Sequence, residues 1–108
     1  MWQEANLLAR RAAQVCDRMP HAYLFFADQL RRASASVPFN IAEGNGARTR
    51  PQYLRYLGHA RSSLNEVEAG VEYMRDTPIA SRTDIDALTL HVMRTGRLLA
   101  ALIRSLGG

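Results

Sequence analysis

Six arginines, Arg31, Arg32, Arg48, Arg50, Arg55 and Arg61, lie between Gln29 and Asn65 with a single acid among them, Glu43. A guanidinium is a planar fork that binds phosphate oxygens in pairs and stacks on bases. Tyr53 and Tyr56 stand among these arginines, where exposed rings would serve as stacking partners for a nucleic acid. The other eight of the 14 basic residues share the rest of the chain with nine of the 10 acids, so the +4 net charge has its source in this one segment. Beyond it the chain turns acidic, through Glu66, Glu68, Glu72 and Asp76. Basic residues before acidic ones oppose the dipole of a helix, which favours the reverse order by some tenths of a kcal/mol per charge. Two other origins fit the same arginines: a solvated face, and pairing with the acidic stretch of a neighbouring subunit.

All 14 basic residues are arginine. Without lysine there is no amine for a Schiff base and no phosphate-loop lysine, which excludes pyridoxal-phosphate, aldolase-type and P-loop NTPase chemistry. A high-GC genome would produce the same bias, so the positions of the arginines say more than their type. None of His21, His59 and His91 has an acid three residues before it, as a di-iron helical site requires. His-x-x-x-His, Cys-x-x-Cys and G-x-S-x-G are absent, which removes the usual zinc and nucleophile-elbow sets. Cys16, beside Asp17 and Arg18, reads as a small buried filler. The expectation is a protein that is not an enzyme, with no catalytic residues, no metal and no cofactor.

Four segments of helical periodicity carry these residues, separated by proline and glycine. Ala5, Leu8, Ala12, Val15 and Met19 mark the first, ended by Pro20; the second runs from His21 to Glu43 with Pro38 inside it, expected to kink it near Ser34, and Gly44 as its C-cap. Thr49-Arg50-Pro51-Gln52 is a capping-box start for the third, whose stripe Tyr53, Leu57, Ala60, Leu64, Val67, Val71, Met74 stops at Thr77-Pro78. Ser81 or Thr83 caps the fourth, with Ile85, Leu88, Val92, Thr95, Leu99, Leu102 and Leu106 inward. Gly44-Asn45-Gly46 reads as a turn admitting positive φ. The pattern predicts an all-α fold in a single domain over residues 1–108, with helices at about 2–18, 21–43, 50–76 and 83–106. Short loops make it an antiparallel up-down-up-down four-helix bundle. Tyr23, Leu24, Phe25 and Phe26 cover a helix all round, and one core buries only one side of them. Tyr23, Phe25 and Phe26 are therefore candidates for an oligomer interface, against the plainer reading of scattered surface apolar residues. The lone Cys16 forms no intramolecular disulfide, Met1 to Arg10 lack the apolar stretch of a secretory signal, and the longest apolar runs fall far short of a membrane span. A cytoplasmic protein with no membrane contact is expected.

The run RRASASVPFNIAEG at residues 31–44 resembles the four-helix-bundle proteins encoded in 23S ribosomal RNA intervening sequences. The resemblance continues through Arg48, Thr49, Tyr53-Leu54-Arg55-Tyr56-Leu57 and Ala60-x-x-Ser63-Leu64-Asn65-Glu66-Val67-Glu68, and loosely through Trp2-Gln3-Glu4-Ala5. It covers residues 2 to 76, with the fourth helix matched only in hydrophobic pattern. It implies a bacterial homopentamer, similar to the accessory variability determinant protein of diversity-generating retroelements, a basic barrel that binds nucleic acid and a reverse transcriptase. By position it carries over Arg31, Arg32, Asn40, Glu43 and Gly44 as motif residues; Asn40 and Glu43 flank the expected kink and read as holding the end of helix two to the following turn by hydrogen bonds, against direct contact with a ligand. Phe25-Phe26-Ala27-Asp28 departs from the family's usual Gly-Leu-Thr-Ser, and Ala47 stands where arginine often follows the glycine.

The combined expectation is a homo-oligomer that binds structured RNA or DNA through Arg31, Arg32, Arg48, Arg50, Arg55 and Arg61. The alternative is a structural or accessory subunit whose partner is a protein such as a reverse transcriptase.

Overall fold

The computed structural model describes residues 2–108, and within them every regular element is helical. Helix α1 spans Trp2–Asp17, α2 Leu24–Asn45, α3 Arg50–Met74 and α4 Arg82–Ser105. Helix α2 packs on α1 and α3, and α4 packs on α1 and α3, giving a body of 44 × 20 × 19 Å. The apolar stripes meet in one core, in which Leu8, Ile41, Leu57, Met74, Leu88 and Leu99 are fully buried.

Local chemistry explains the helix ends. No Ser, Thr, Asp or Asn precedes the second helix; Pro20 is extended (ψ 146°), and His21–Tyr23 wind as a tighter 3-10 turn closed by Tyr23 N–H on the Pro20 carbonyl at 2.9 Å. The α-helix therefore starts at Leu24, three residues later than the periodicity suggests. Thr49 Oγ1 caps α3 by accepting from Gln52 N–H at 3.2 Å, and Gln52 Oε1 accepts from Arg48 N–H at 3.2 Å. Thr77 Oγ1 donates to the Met74 carbonyl and Asp76 turns left-handed (φ 62°), so α3 stops at Met74. Ser81 Oγ caps α4 through Asp84 N–H at 3.1 Å, and Gly107 (φ 80°) closes its other end.

Helix α2 continues through Pro38 without interruption. Around the missing N–H, Ser34 Oγ donates to the Leu30 carbonyl at 2.7 Å, and Asn40 Nδ2 donates to the Ser36 carbonyl at 2.9 Å. Gly44 is a buried helical residue and not the cap, which is Gly46; neither has positive φ. A Cβ on Gly44 would lie 2.9 Å from the Tyr53 ring and 3.3 Å from Tyr56 Cβ, so glycine is what lets α3 approach α2 here.

Register between helices is fixed by a few pairs. Across α2 and α3, Ser36 Oγ meets Ser63 Oγ at 2.8 Å and Gln29 Nε2 donates to Glu66 Oε2 at 2.7 Å. Across α3 and α4, Gly96 lies over Leu64, Gly108 over Leu54, and Arg75 Nη2 donates to Thr89 Oγ1 at 2.9 Å. Arg18 Nη2 reaches Asp84 Oδ1 at 2.7 Å, tying the end of α1 to the start of α4, and His91 Nδ1 lies 3.0 Å from Glu4 Oε1.

Candidate nucleic-acid interface

The structure divides the six arginines into two groups. Arg48 in the turn before α3, and Arg50, Arg55 and Arg61 on its first half, are all exposed, and among the described residues none is in an ion pair. Their stretch contains no acid from Gly46 to Asn65. Arg31 behaves differently. It is half-buried, with Nη2 donating to Asp17 Oδ1 at 2.6 Å and Nη1 to Asp28 Oδ1 at 3.5 Å, and the hydrogen bond to Asp17 raises its pKa further. Arg32 is exposed on the outward side of α2, seven residues from Phe25 on one side and from Phe39 on the other. Both belong to the half of α2 that faces the acidic half of α3, since Gln29 meets Glu66; about 14 residues, roughly 20 Å of helix, separate them from the α2–α3 turn.

The two tyrosines turn inward. Tyr53 and Tyr56 are half-buried, the Tyr53 ring lies against Gly44, and the Tyr53 hydroxyl donates to Asn45 Oδ1 at 2.8 Å. Arg55 Cζ sits 5.8 Å from the Tyr56 ring centroid, and the His59 ring is 6.2 Å from it. These rings hold α2 against α3 and carry Arg55, and they do not offer open faces to bases.

Motif residues Asn40 and Glu43 do not bind the following turn through their side chains. Side chains on a helix lean toward its N-terminus, so Asn40 reaches back to Ser36, and the Glu43 side chain is exposed while its backbone carbonyl accepts from Gly46 N–H at 3.1 Å. Of the aromatic run, Tyr23 and Phe26 pack on the core, with the Phe26 ring 5.2 Å from that of Tyr73, while Phe25 is 91% exposed. Phe39, not singled out by the sequence, is 69% exposed on the same helix.

Sequence reasoning also missed part of the basic surface. Arg94, Arg97 and Arg104 lie on the second half of α4, which contains no acid. The register set by Gly96 over Leu64 and Gly108 over Leu54 puts Arg97 and Arg104 alongside the stretch of α3 that bears Arg55 and Arg61. The signal was an acid-free helical half, hidden because it is about forty residues further along the chain. No group of three His, Cys, Asp or Glu able to hold a metal occurs among the described residues. Cys16 is buried, its thiol bonded to the Ala27 carbonyl at 3.4 Å, and burial pushes its pKa up to about 11, the opposite of a reactive thiolate. No helix is long and apolar enough to cross a membrane.

Residues 1–101 match the model of the 23S rRNA-intervening sequence protein family. The chain belongs to that family. No curated protein matches the sequence. The fold is similar to that of a protein of unknown function from the S23 ribosomal protein family of Bacteroides thetaiotaomicron VPI-5482, solved at 1.70 Å resolution. The TM-score is 0.70 at 21% identity, over 89% of this chain and 97% of that one. In this intervening-sequence protein the motif run at 31–44 thus builds the α2–α3 contact through Ser36 and Gly44, with Asn40 bonded to Ser36 and Ser34 bonded within α2, and the arginines stand to either side of it.

Proposed function

We propose that this protein is a non-enzymatic, cytoplasmic, homo-oligomeric bundle of up-down-up-down topology that binds structured RNA or DNA by phosphate contacts. The basic turn end of the molecule, Arg48, Arg50, Arg55 and Arg61, makes those contacts. One observation carries this reading: Arg18, Arg31 and Arg75 are tied to Asp84, Asp17 and Glu72, whereas these four are exposed in a stretch with no acid from Gly46 to Asn65 and have no acidic partner among the described residues. Exposed cations left without counter-charges repel one another, and a polyanion relieves that repulsion by releasing its own counterions. The helix pairs Ser36–Ser63, Gly44–Tyr53 and Leu54–Gly108 support the alternating topology. The homopentamer and the relation to the accessory protein of diversity-generating retroelements are carried over from the resemblance at residues 31–44. Exposed Phe25 belongs to the subunit contact.

Fluorescence anisotropy with a labelled duplex tests the reading. Affinity falls steeply between about 50 and 200 mM salt, and replacing Arg55 and Arg61 together by Gln flattens the log–log slope by about two. Binding indifferent to salt, or an unchanged slope in the double variant, would falsify it. A second reading draws on the exposed Phe25 and Phe39: an accessory subunit that recognises a protein such as a reverse transcriptase. Under it, Arg55→Glu breaks the oligomer in light scattering instead of abolishing nucleic-acid binding in an intact assembly.

A further inference from the structure

The homo-oligomeric reading leaves open which faces of the chain meet, and the outward side of α2 bears on that question. Phe25, Arg32 and Phe39 follow one another at intervals of seven residues, and all three are exposed. Seven residues fall only about 20° short of two full helical turns, so the three side chains form one row, with each ring rooted about 10 Å from the arginine between them. Arg32 is in no ion pair among the described residues. Aromatic side chains bury roughly 150–250 Å² each, so the two rings supply about half of the roughly 800 Å² that each partner gives to a standard interface.

A second side of the molecule matches this row. Between α3 and α4, two adjoining hollows of about 350 and 120 Å³ share a middle formed by Glu68, Val92 and Met93, with Leu64 and Gly96 in one and Val71 in the other. Leu64, Val71 and Val92 are core residues and give an apolar floor, to which Met93 adds an exposed side chain. Glu68 is exposed and in no ion pair among the described residues: Glu72 takes Arg75, and Arg97 on the other wall does not reach Glu68. An unpaired acid thus stands at the centre of an apolar groove, and an unpaired arginine at the centre of an apolar row. The spacing agrees, since the groove ends at Arg75, seven residues beyond Glu68, and at Ala100, seven beyond Met93, about 10 Å from its middle either way. The heights agree too. Ser36 meets Ser63, and Leu30 Cδ1 lies 3.3 Å from the position of a Cβ on Gly70, so Arg32 and Glu68, each between these two levels, stand about 6 and 7.5 Å from the serines. Copies placed side by side then bring Arg32 to Glu68 by rotation, without a shift along the bundle, and a head-to-tail contact of that kind closes into a ring. The exposed Leu7, Leu90 and Leu98 offer no such match, because Arg94 stands between Leu90 and Leu98 and repels Arg32.

We infer that α2 of one copy, through Phe25, Arg32 and Phe39, docks in the α3–α4 groove of the next copy, with Arg32 paired to Glu68. This rests on the homo-oligomeric reading above and adds the two faces that meet. The test is the mass of the full chain in solution, by light scattering and native mass measurement over a dilution series, with circular dichroism melts to confirm folding. The wild-type protein assembles, Arg32→Glu and Glu68→Arg each fall to monomer, and the double reversal regains the wild-type mass. Phe39→Ser weakens association about tenfold or more, and Arg94→Glu leaves the mass unchanged. Single reversals that stay assembled overturn the inference and leave the homo-oligomer standing. Single reversals that dissociate and are not rescued in the double variant overturn it as well, because the two charges then do not meet. Dissociation of Arg94→Glu with Arg32→Glu still assembled moves the contact to the side of Leu90 and Leu98 and has the same result. A wild-type protein that is monomeric throughout removes both readings.

Discussion

The two ends of the molecule handle charge in opposite ways. Where α1 leads into α2 and α3 into α4, cations and anions alternate and meet: Arg18 with Asp84, Arg31 with Asp17 and Asp28, Arg75 with Glu72, Arg82 Nε 3.9 Å from Asp86 Oδ2. At the α2–α3 turn and the close of α4, Arg48, Arg50, Arg55, Arg61, Arg97 and Arg104 form no ion pair among the described residues, and Glu43 is the one acid near them. Exposed ion pairs contribute little stability, commonly under 1 kcal/mol each, so the difference does not mark one end as the firmer. It marks one end as the place where cations and anions are paired and the other as the place where exposed arginines are not. Glycine is used differently too: Gly44 permits a helix contact inside the protein, and Gly58 faces open space.

The comparison can be broken, beginning with its largest expected effect. Gly44→Ala forces a Cβ to 2.9 Å from the Tyr53 ring and should destabilise by about 2 kcal/mol in urea unfolding, as overpacking does. Helix propensity alone would make the same change stabilising, so a raised midpoint would show that the α2–α3 approach is looser than described. Thr95 Oγ1 is buried with no hydrogen-bond partner, and Thr95→Val should gain about 1 kcal/mol by removing an unsatisfied hydroxyl without changing the side chain's shape. Gly58→Ala should raise stability by about 0.5–1 kcal/mol, since nothing in the chain contacts that site; a loss would mean that the helix needs glycine there for its own packing. Arg31→Ala should lower the melting temperature measurably and Arg55→Ala leave it within error, because only Arg31 has partners to lose. Equal effects would erase the distinction between the two ends.

A pH effect of a different origin should be superimposed on these. Burial raises the Cys16 pKa from 9.0 to about 11, so between those values the unfolded chain loses the thiol proton while the folded chain keeps it. Stability contributed by the neutral buried thiol is complete below pH 9 and declines as the pH rises toward 11. Melting temperatures of wild type and Cys16→Ala measured across that range should converge as the pH rises, and parallel curves would show that the thiol stays solvated.

Much of the scaffold could be read from residue spacing. The stripe from Tyr53 to Met74, the Thr49 and Ser81 caps and the stop near Thr77 are local: each depends on hydrogen bonds and side-chain spacing within one or two turns. The start of α2 was misplaced because periodicity cannot distinguish a 3-10 turn after Pro20 from a first α-helical turn. Gly44 suggests a cap because it is a glycine near a helix end, whereas the ring that requires it, Tyr53, is nine positions further along and belongs to another helix, so it gives no local sign. For the candidate site, the arginines of α2 and α3 were legible as a charge-rich stretch, but their division was not. Arg31 and Arg32 are adjacent in sequence and differ because the former points toward α1, where Asp17 lies.

The sequence by itself determined that this protein is helical, where its four apolar stripes run, that its cations are all arginine, and where acids are missing. Only the tertiary structure decided which arginines acquire partners, that Tyr53 and Tyr56 serve packing, and that the acid-free half of α4 runs alongside the basic half of α3. Helical periodicity arises from bonds between residues four apart and is written in any short window of the chain. Charge pairing across helices depends on register, and register is set by core side chains meeting from segments tens of residues apart, as Leu64 meets Gly96.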